Sequence, residues 1–81
     1  MKILFFGRLA ESAGREIELD LPAEGCTVAE LRRRLAGALP RAAGELVRPS
    51  IRACIDHEVA PETARVMPGQ EVAFVPPLSG G

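Results

Sequence analysis

The chain closes on Gly80-Gly81, and the group there that can do chemistry is an α-carboxylate. Its reference pKa is about 3.5, so it is ionised near neutral pH and is a poor electrophile until something activates it. Adenylation by an ATP-using enzyme turns such a group into a mixed anhydride that a sulfur or amine nucleophile opens. Glycine suits both steps, because without a Cβ the backbone takes φ values closed to other residues and the carbonyl is open from either side. A Gly-Gly end alone is also what a flexible linker looks like. The residues ahead of it argue otherwise. Pro76-Pro77 fixes φ and removes two N–H donors, so Leu78-Ser79-Gly80-Gly81 is expected to project about 13 Å from the body at roughly 3.3 Å per residue. Val72-Ala73-Phe74-Val75, set between Gly69 and the prolines, reads as a short strand buried on both faces.

The other reactive side chains form no comparable constellation. Cys26 and Cys54 lie far apart, with no Cys-x-x-Cys pair and no histidine at a ligand spacing, so no metal site is expected. Both are expected to be reduced, partly buried small hydrophobes. His57, the single histidine, sits in the turn signal Asp56-His57-Glu58 without a nucleophile or second ligand at a suggestive spacing, and is expected to be a turn residue. Glu16, Glu18 and Asp20 alternate with apolar residues, the pattern of a solvated strand face that discourages sheet-to-sheet pairing. Arg32-Arg33-Arg34 is the one basic cluster. It is expected on the solvated side of a helix, with docking to an acidic partner surface as the functional alternative.

A length of 81 residues allows one small domain with a limited core, assigned here to residues 1–75, with 76–81 as a flexible tail. Apolar residues make up 47% of the chain and charged ones 26%, which suits a folded soluble domain. The net charge is −1, nine arginines and one lysine are scattered among eleven acids, and tyrosine and tryptophan are absent. No nucleic-acid surface is expected from that composition. No apolar run approaches a bilayer span and Met1 to Phe6 lacks the cleavage region of a signal peptide, so the expected location is the cytoplasm, away from membranes.

The elements that must position the tail follow from pattern. Lys2 to Phe6 is a strand stopped by Gly7; if Ile3 and Phe5 face a helix, Leu4 and Phe6 have no internal partner. Arg8 to Gly14 is a loop or short helical turn, and Arg15 to Leu21 contains a half-buried strand with Ile17, Leu19 and Leu21 inward. Thr27-Val28-Ala29-Glu30 matches a capping box. Val28, Leu31, Leu35, Ala38 and Leu39 form the apolar stripe of the helix it opens, which Pro40 discourages from continuing. Arg41 to Arg48 suits a second short helix, Ile51 to Ile55 a third strand, Val59-Ala60 a further short one, and Pro68-Gly69 the turn into the last. This order predicts an α+β fold, a mixed sheet covered by one main helix.

The run Phe74-Val75-Pro76-Pro77-Leu78-Ser79-Gly80-Gly81 resembles the C-terminus of the small subunit of molybdopterin synthase, the MoaD family of sulfur carriers. Lys2-Ile3-Leu4-Phe5-Phe6-Gly7, the helix start at Thr27-Val28, Pro68-Gly69-Gln70-Glu71-Val72 and the chain length fit that family too. The family often has asparagine where Asp56 stands. The resemblance implies a ubiquitin-like β-grasp with first and last strands parallel and central. It implies that an E1-like enzyme uses ATP to adenylate the Gly81 carboxylate, which becomes a thiocarboxylate, and that no cofactor is permanently bound. It further implies that the tail inserts into the large catalytic subunit and delivers sulfur to the pterin precursor. The chain would then be no enzyme alone but the sulfur-donating subunit of one. By the same resemblance Phe6, Val59 and Val75 contact the large subunit, Pro76 and Pro77 aim the tail, Leu78 and Ser79 thread the partner, and Gly80 keeps the end slim and mobile. Three alternatives stand beside it: a thiamine-type carrier, usually shorter and without the Pro-Pro exit; a ubiquitin-like protein modifier; and an interaction domain with an idle tail.

Overall fold

The computed structural model describes residues 1–76. The two segments that are apolar on both faces lie side by side at its centre. β1 (Lys2–Phe5) and β7 (Val72–Val75) pair in parallel, with Ile3 opposite Val72, Leu4 opposite Ala73 and Phe5 opposite Phe74. β2 (Glu16–Glu18) lies antiparallel outside β1, shorter than the alternating pattern predicts, and Leu19 and Leu21 pack against the core beyond its end. On the other side of β7, β4 (Arg52–Ile55) runs antiparallel and is followed by β5 (Glu58–Ala60), giving the order β2-β1-β7-β4-β5. Side chains alternate across a strand. Ile3, Phe5, Ala53, Val72 and Phe74 are therefore buried on one face, while Leu4, Phe6, Cys54, Ala73 and Val75 lie on the other.

The covered face is sealed by α2 (Val28–Ala38). Thr27 opens it with the predicted capping box: its Oγ1 accepts from the Glu30 N–H at 3.1 Å, and the Glu30 carboxylate accepts from the Thr27 N–H at 2.7 Å. Val28, Leu31 and Leu35 are fully buried against the sheet. A short helix α1 (Leu9–Ala13), a 3₁₀ turn (Pro40–Ala42) and α3 (Ala43–Leu46) close one end, burying Leu9, Ala42 and Leu46. A two-stranded ribbon, β3 (Cys26–Thr27) with β6 (Arg65–Val66), closes another and was not predicted. Gly25 enters it with φ of 75°, and a Cβ there would lie 2.2 Å from the Val66 carbonyl oxygen, so only glycine permits that approach.

The arginine cluster corrects the sequence expectation. Arg33 and Arg34 are exposed, but Arg32 is only 5% exposed and belongs to the packed face, while Ala38, assigned to the stripe, faces solvent. A buried guanidinium needs all its donors engaged. Arg32 donates to the carbonyls of Leu46 (2.7 Å), Arg48 (3.3 Å) and Ile51, pairs with the Glu62 carboxylate at 2.9 Å, and lies 5.4 Å from the Phe74 ring centroid. It ties α3, the approach to β4 and the segment before β6 onto the centre of β7. Arg32 is thus an internal clamp, and neither a solvated residue nor a docking one.

Candidate functional site

The uncovered sheet face is built from residues that alternate with the core. Across its middle runs the row Glu16, Leu4, Ala73, Cys54, Val59, each side by side with the next in the strand register. One row toward the tail, Val75 lies opposite Arg52. Phe6 extends β1 alongside it, its N–H donating to the Phe74 carbonyl at 3.1 Å. The structure brings Phe6 and Val75 together with Leu4, Cys54, Ala73, His57 and Glu71 around a groove of about 250 Å³. That is below the range of about 300–1,000 Å³ usual for small-molecule pockets, and its apolar lining suits a macromolecular surface better. Phe6 is 49% exposed and Val59 64%; Val59 stands outside the groove, carrying the strip toward the edge strand. The sequence pattern marked Leu4 with Phe6 as lacking an internal partner but left out Ala73 and Cys54 as members of this face. The signal was their alternation with Phe74 and Ala53.

β7 carries the chain out at the top of this strip. Its root is fixed on two sides, by the ladder with β4 and by the turn after β1, where Gly7 has φ of 66° and a Cβ would lie 2.6 Å from the Pro76 Cγ. Pro76 thus occupies the space that the missing side chain leaves. Pro77, Leu78, Ser79, Gly80 and Gly81 lie outside the described residues.

At the opposite end of the strip the β4–β5 hairpin turns through Asp56 and His57, both at positive φ (49° and 73°), as a two-residue primed turn requires. Asp56 is held by reciprocal contacts with the approach to β7: its N–H donates to the Glu71 carbonyl and its carboxylate accepts from the Glu71 N–H at 3.0 Å. His57 is exposed and stands 3.6 Å from the Glu71 carboxylate. It is a turn residue, as expected. Cys26 and Cys54 are free; burial pushes the Cys26 thiol above its ordinary range, against the pull of Arg34. Among the described residues no group of three or more His, Cys, Asp or Glu is placed to hold a metal ion, and no helix is long and apolar enough to cross a membrane.

A model of the ThiS family matches residues 3–81. The chain belongs to that family. Its sheet order and covering helix are those of the ubiquitin-like β-grasp shared by the small sulfur carriers and modifiers. Among solved structures, this ThiS-family chain is similar to SAMP1 from Haloferax volcanii, with a TM-score of 0.83 and 29% identity, the match covering 99% of this chain and 97% of the other. It is also similar to a putative molybdopterin converting factor, subunit 1, from Pyrococcus furiosus, with a TM-score of 0.75, 19% identity and 95% coverage of each chain. At that identity the second likeness speaks for the fold.

Proposed function

We propose that this chain is the sulfur carrier subunit of a molybdopterin synthase. The observation that carries the proposal is the position of β7: the strand that leads to the glycines is central, paired on both sides, and flanked by an apolar strip with no covering element among the described residues. A body that docks through the strip would feed the tail into a partner's catalytic pocket. In the first step the Gly81 carboxylate attacks the α-phosphorus of ATP on an E1-like enzyme, releasing pyrophosphate and leaving an acyl adenylate. A hydrosulfide-level sulfur nucleophile then displaces AMP and leaves a thiocarboxylate, which gives its sulfur to the pterin precursor in the large subunit. Phe6, Val59 and Val75 dock the body, Pro76 and Pro77 aim the tail, Leu78, Ser79 and Gly80 thread it, and Gly81 carries the sulfur. ATP is consumed by the activating enzyme, and the carrier itself holds no cofactor.

A second use of the same activated glycine is conjugation to protein amines. The likeness to SAMP1, also described as small archaeal modifier protein 1, favours it. Lys2 is the sole lysine, which leaves little scope for chains built on the protein itself. The deciding experiment is the intact mass of the protein after incubation with ATP, sulfide and the E1-like enzyme of the same cell, followed by addition of the large subunit and precursor. Replacement of one oxygen by sulfur at Gly81, reversed on addition of the large subunit, supports the synthase role. Protein conjugates without sulfur charging support the modifier. Removal of Gly81 should abolish sulfur transfer while leaving docking intact.

A further inference from the structure

The open face is polarised along the strands, with acidic groups away from the tail and the cation Arg52 beside it. Arg52 lies opposite Val75, the last strand residue before Pro76, and is exposed; it takes part in no ion pair among the described residues. Away from the tail stand Glu16, at the β2 edge of the middle row, and Glu18 and Glu71, one row further out. Their pairings are with Lys2 (3.6 Å), the N-terminal ammonium (3.5 Å) and His57 (3.6 Å), and each of the three carboxylates is half exposed or more. Asp56 is also at that end, engaged in its turn. Pairs this long and this exposed are weak and yield to a better-placed cation. Between the two ends the strip of Leu4, Ala73 and Cys54 carries no charge. Four residue steps along β7 lead from Glu71 to Val75, about 13 Å of strand, which exceeds the screening length of about 8 Å at physiological salt. The two ends therefore act as separate electrostatic contacts.

We propose that this face selects its partner by charge as well as shape: the protein that receives the tail sets an acidic side chain against Arg52 and basic side chains against the Glu16–Glu18–Glu71 end. An arginine pressed against an apolar surface would lose its hydration without compensation, so a partner lacking the acid is rejected, and one with reversed polarity is rejected at both ends. The pattern also fixes which way round the partner sits, placing its pocket over the tail root. This inference deepens the carrier function proposed above and rests on it.

The test is the affinity of the full chain for the large subunit at low and high salt, for the wild type, Arg52→Glu, Arg52→Gln, the double variant Glu16→Lys/Glu18→Lys, and Val75→Asp. Arg52→Glu should weaken binding about tenfold or more at low salt, with the deficit closing near 0.5 M salt; Arg52→Gln should fall between it and the wild type. The double variant should show a smaller loss of the same salt dependence. Arg52→Gln keeps the side-chain shape, and so carries the test even if the reversal disturbs folding. Wild-type binding that is lost in Val75→Asp but unchanged in both Arg52 variants overturns the charge inference and leaves the carrier assignment standing. Failure of the wild type itself to bind the large subunit overturns both.

Discussion

The two faces of β7 differ in what they hold together. On one face Val72 and Phe74 are fully buried, Phe74 stacked 6.2 Å from Phe5 and covered by the Arg32 guanidinium. On the other, Ala73 and Val75, one residue out of phase with them, sit on an apolar strip that nothing among the described residues covers. In a domain of 81 residues, one main helix suffices to bury one face of the sheet. The second face is left open for the docking proposed above, and on that proposal adjacent residues of one strand should separate stability from docking.

The largest expected loss of stability is at Phe74. Phe74→Ala removes a fully buried ring and should cost about 3–5 kcal/mol, against a total of about 4–12 kcal/mol for a chain of this length. Urea unfolding would show it as a large fall in midpoint, and a loss below about 1 kcal/mol would contradict the assignment of this face as the core. Gly25→Ala comes close behind, since the new Cβ meets the Val66 carbonyl at a backbone φ that L residues rarely adopt. Arg32→Met should cost about 2–4 kcal/mol, because the carbonyls of Leu46 and Ile51 lose a buried donor. Glu62→Gln should cost much less, its carboxylate being 52% exposed and screened by water. Equal losses for the two would mean that the ion pair, rather than the carbonyl contacts, holds the clamp.

The contrast between faces was legible because Leu4 and Phe6 alternate with Ile3 and Phe5, and because Val72 to Val75 is apolar throughout. The helix start was legible in Thr27 and Glu30, whose cap depends on neighbours three residues apart. Arg32 was not. Its spacing fits the stripe, four residues after Val28 and three before Leu35, but a cation reads as solvated unless its partners are known. Those partners, the carbonyls of Leu46, Arg48 and Ile51 and the carboxylate of Glu62, come from segments 14 to 30 residues away. The β3–β6 ribbon escaped for a different reason: two residues per strand show no periodicity, and its one sequence mark is Gly25. For the docking face, Phe6, Val59 and Val75 came from resemblance, while Arg52 and Cys54 needed the register.

A smaller effect sharpens the covered side through pH. The Thr27 backbone N–H and hydroxyl hold the Glu30 carboxyl below its ordinary range. A carboxylate with a lowered folded-state pKa contributes stability that is complete above the unfolded pKa and is lost as pH falls through the folded one. The difference in melting temperature between the wild type and Glu30→Ala should therefore be constant near neutrality and shrink on acidification through that lowered value. A difference that persists at strongly acidic pH would mean the cap acts through the helix propensity of the residue alone. Thr27→Ala should cost about 1 kcal/mol by the same unfolding measurement.

The smallest expected change in stability is at Phe6, and it divides the two faces most cleanly. Phe6 lies just beyond β1, half exposed, and its backbone bond to Phe74 does not depend on its side chain. Phe6→Asp should shift unfolding by less than about 1 kcal/mol. The same change puts a charge beside Val75 in a strip whose use to a partner is its lack of one, so association with the large subunit should be lost. Its adenylation by the activating enzyme, measured as pyrophosphate release, then separates two possibilities. Retained adenylation would mean that the strip serves the sulfur acceptor, with the activating enzyme gripping the carrier elsewhere. Joint loss of adenylation and docking, in a protein that still unfolds as the wild type does, would mean that both partners take turns on one surface and cannot hold the carrier at once.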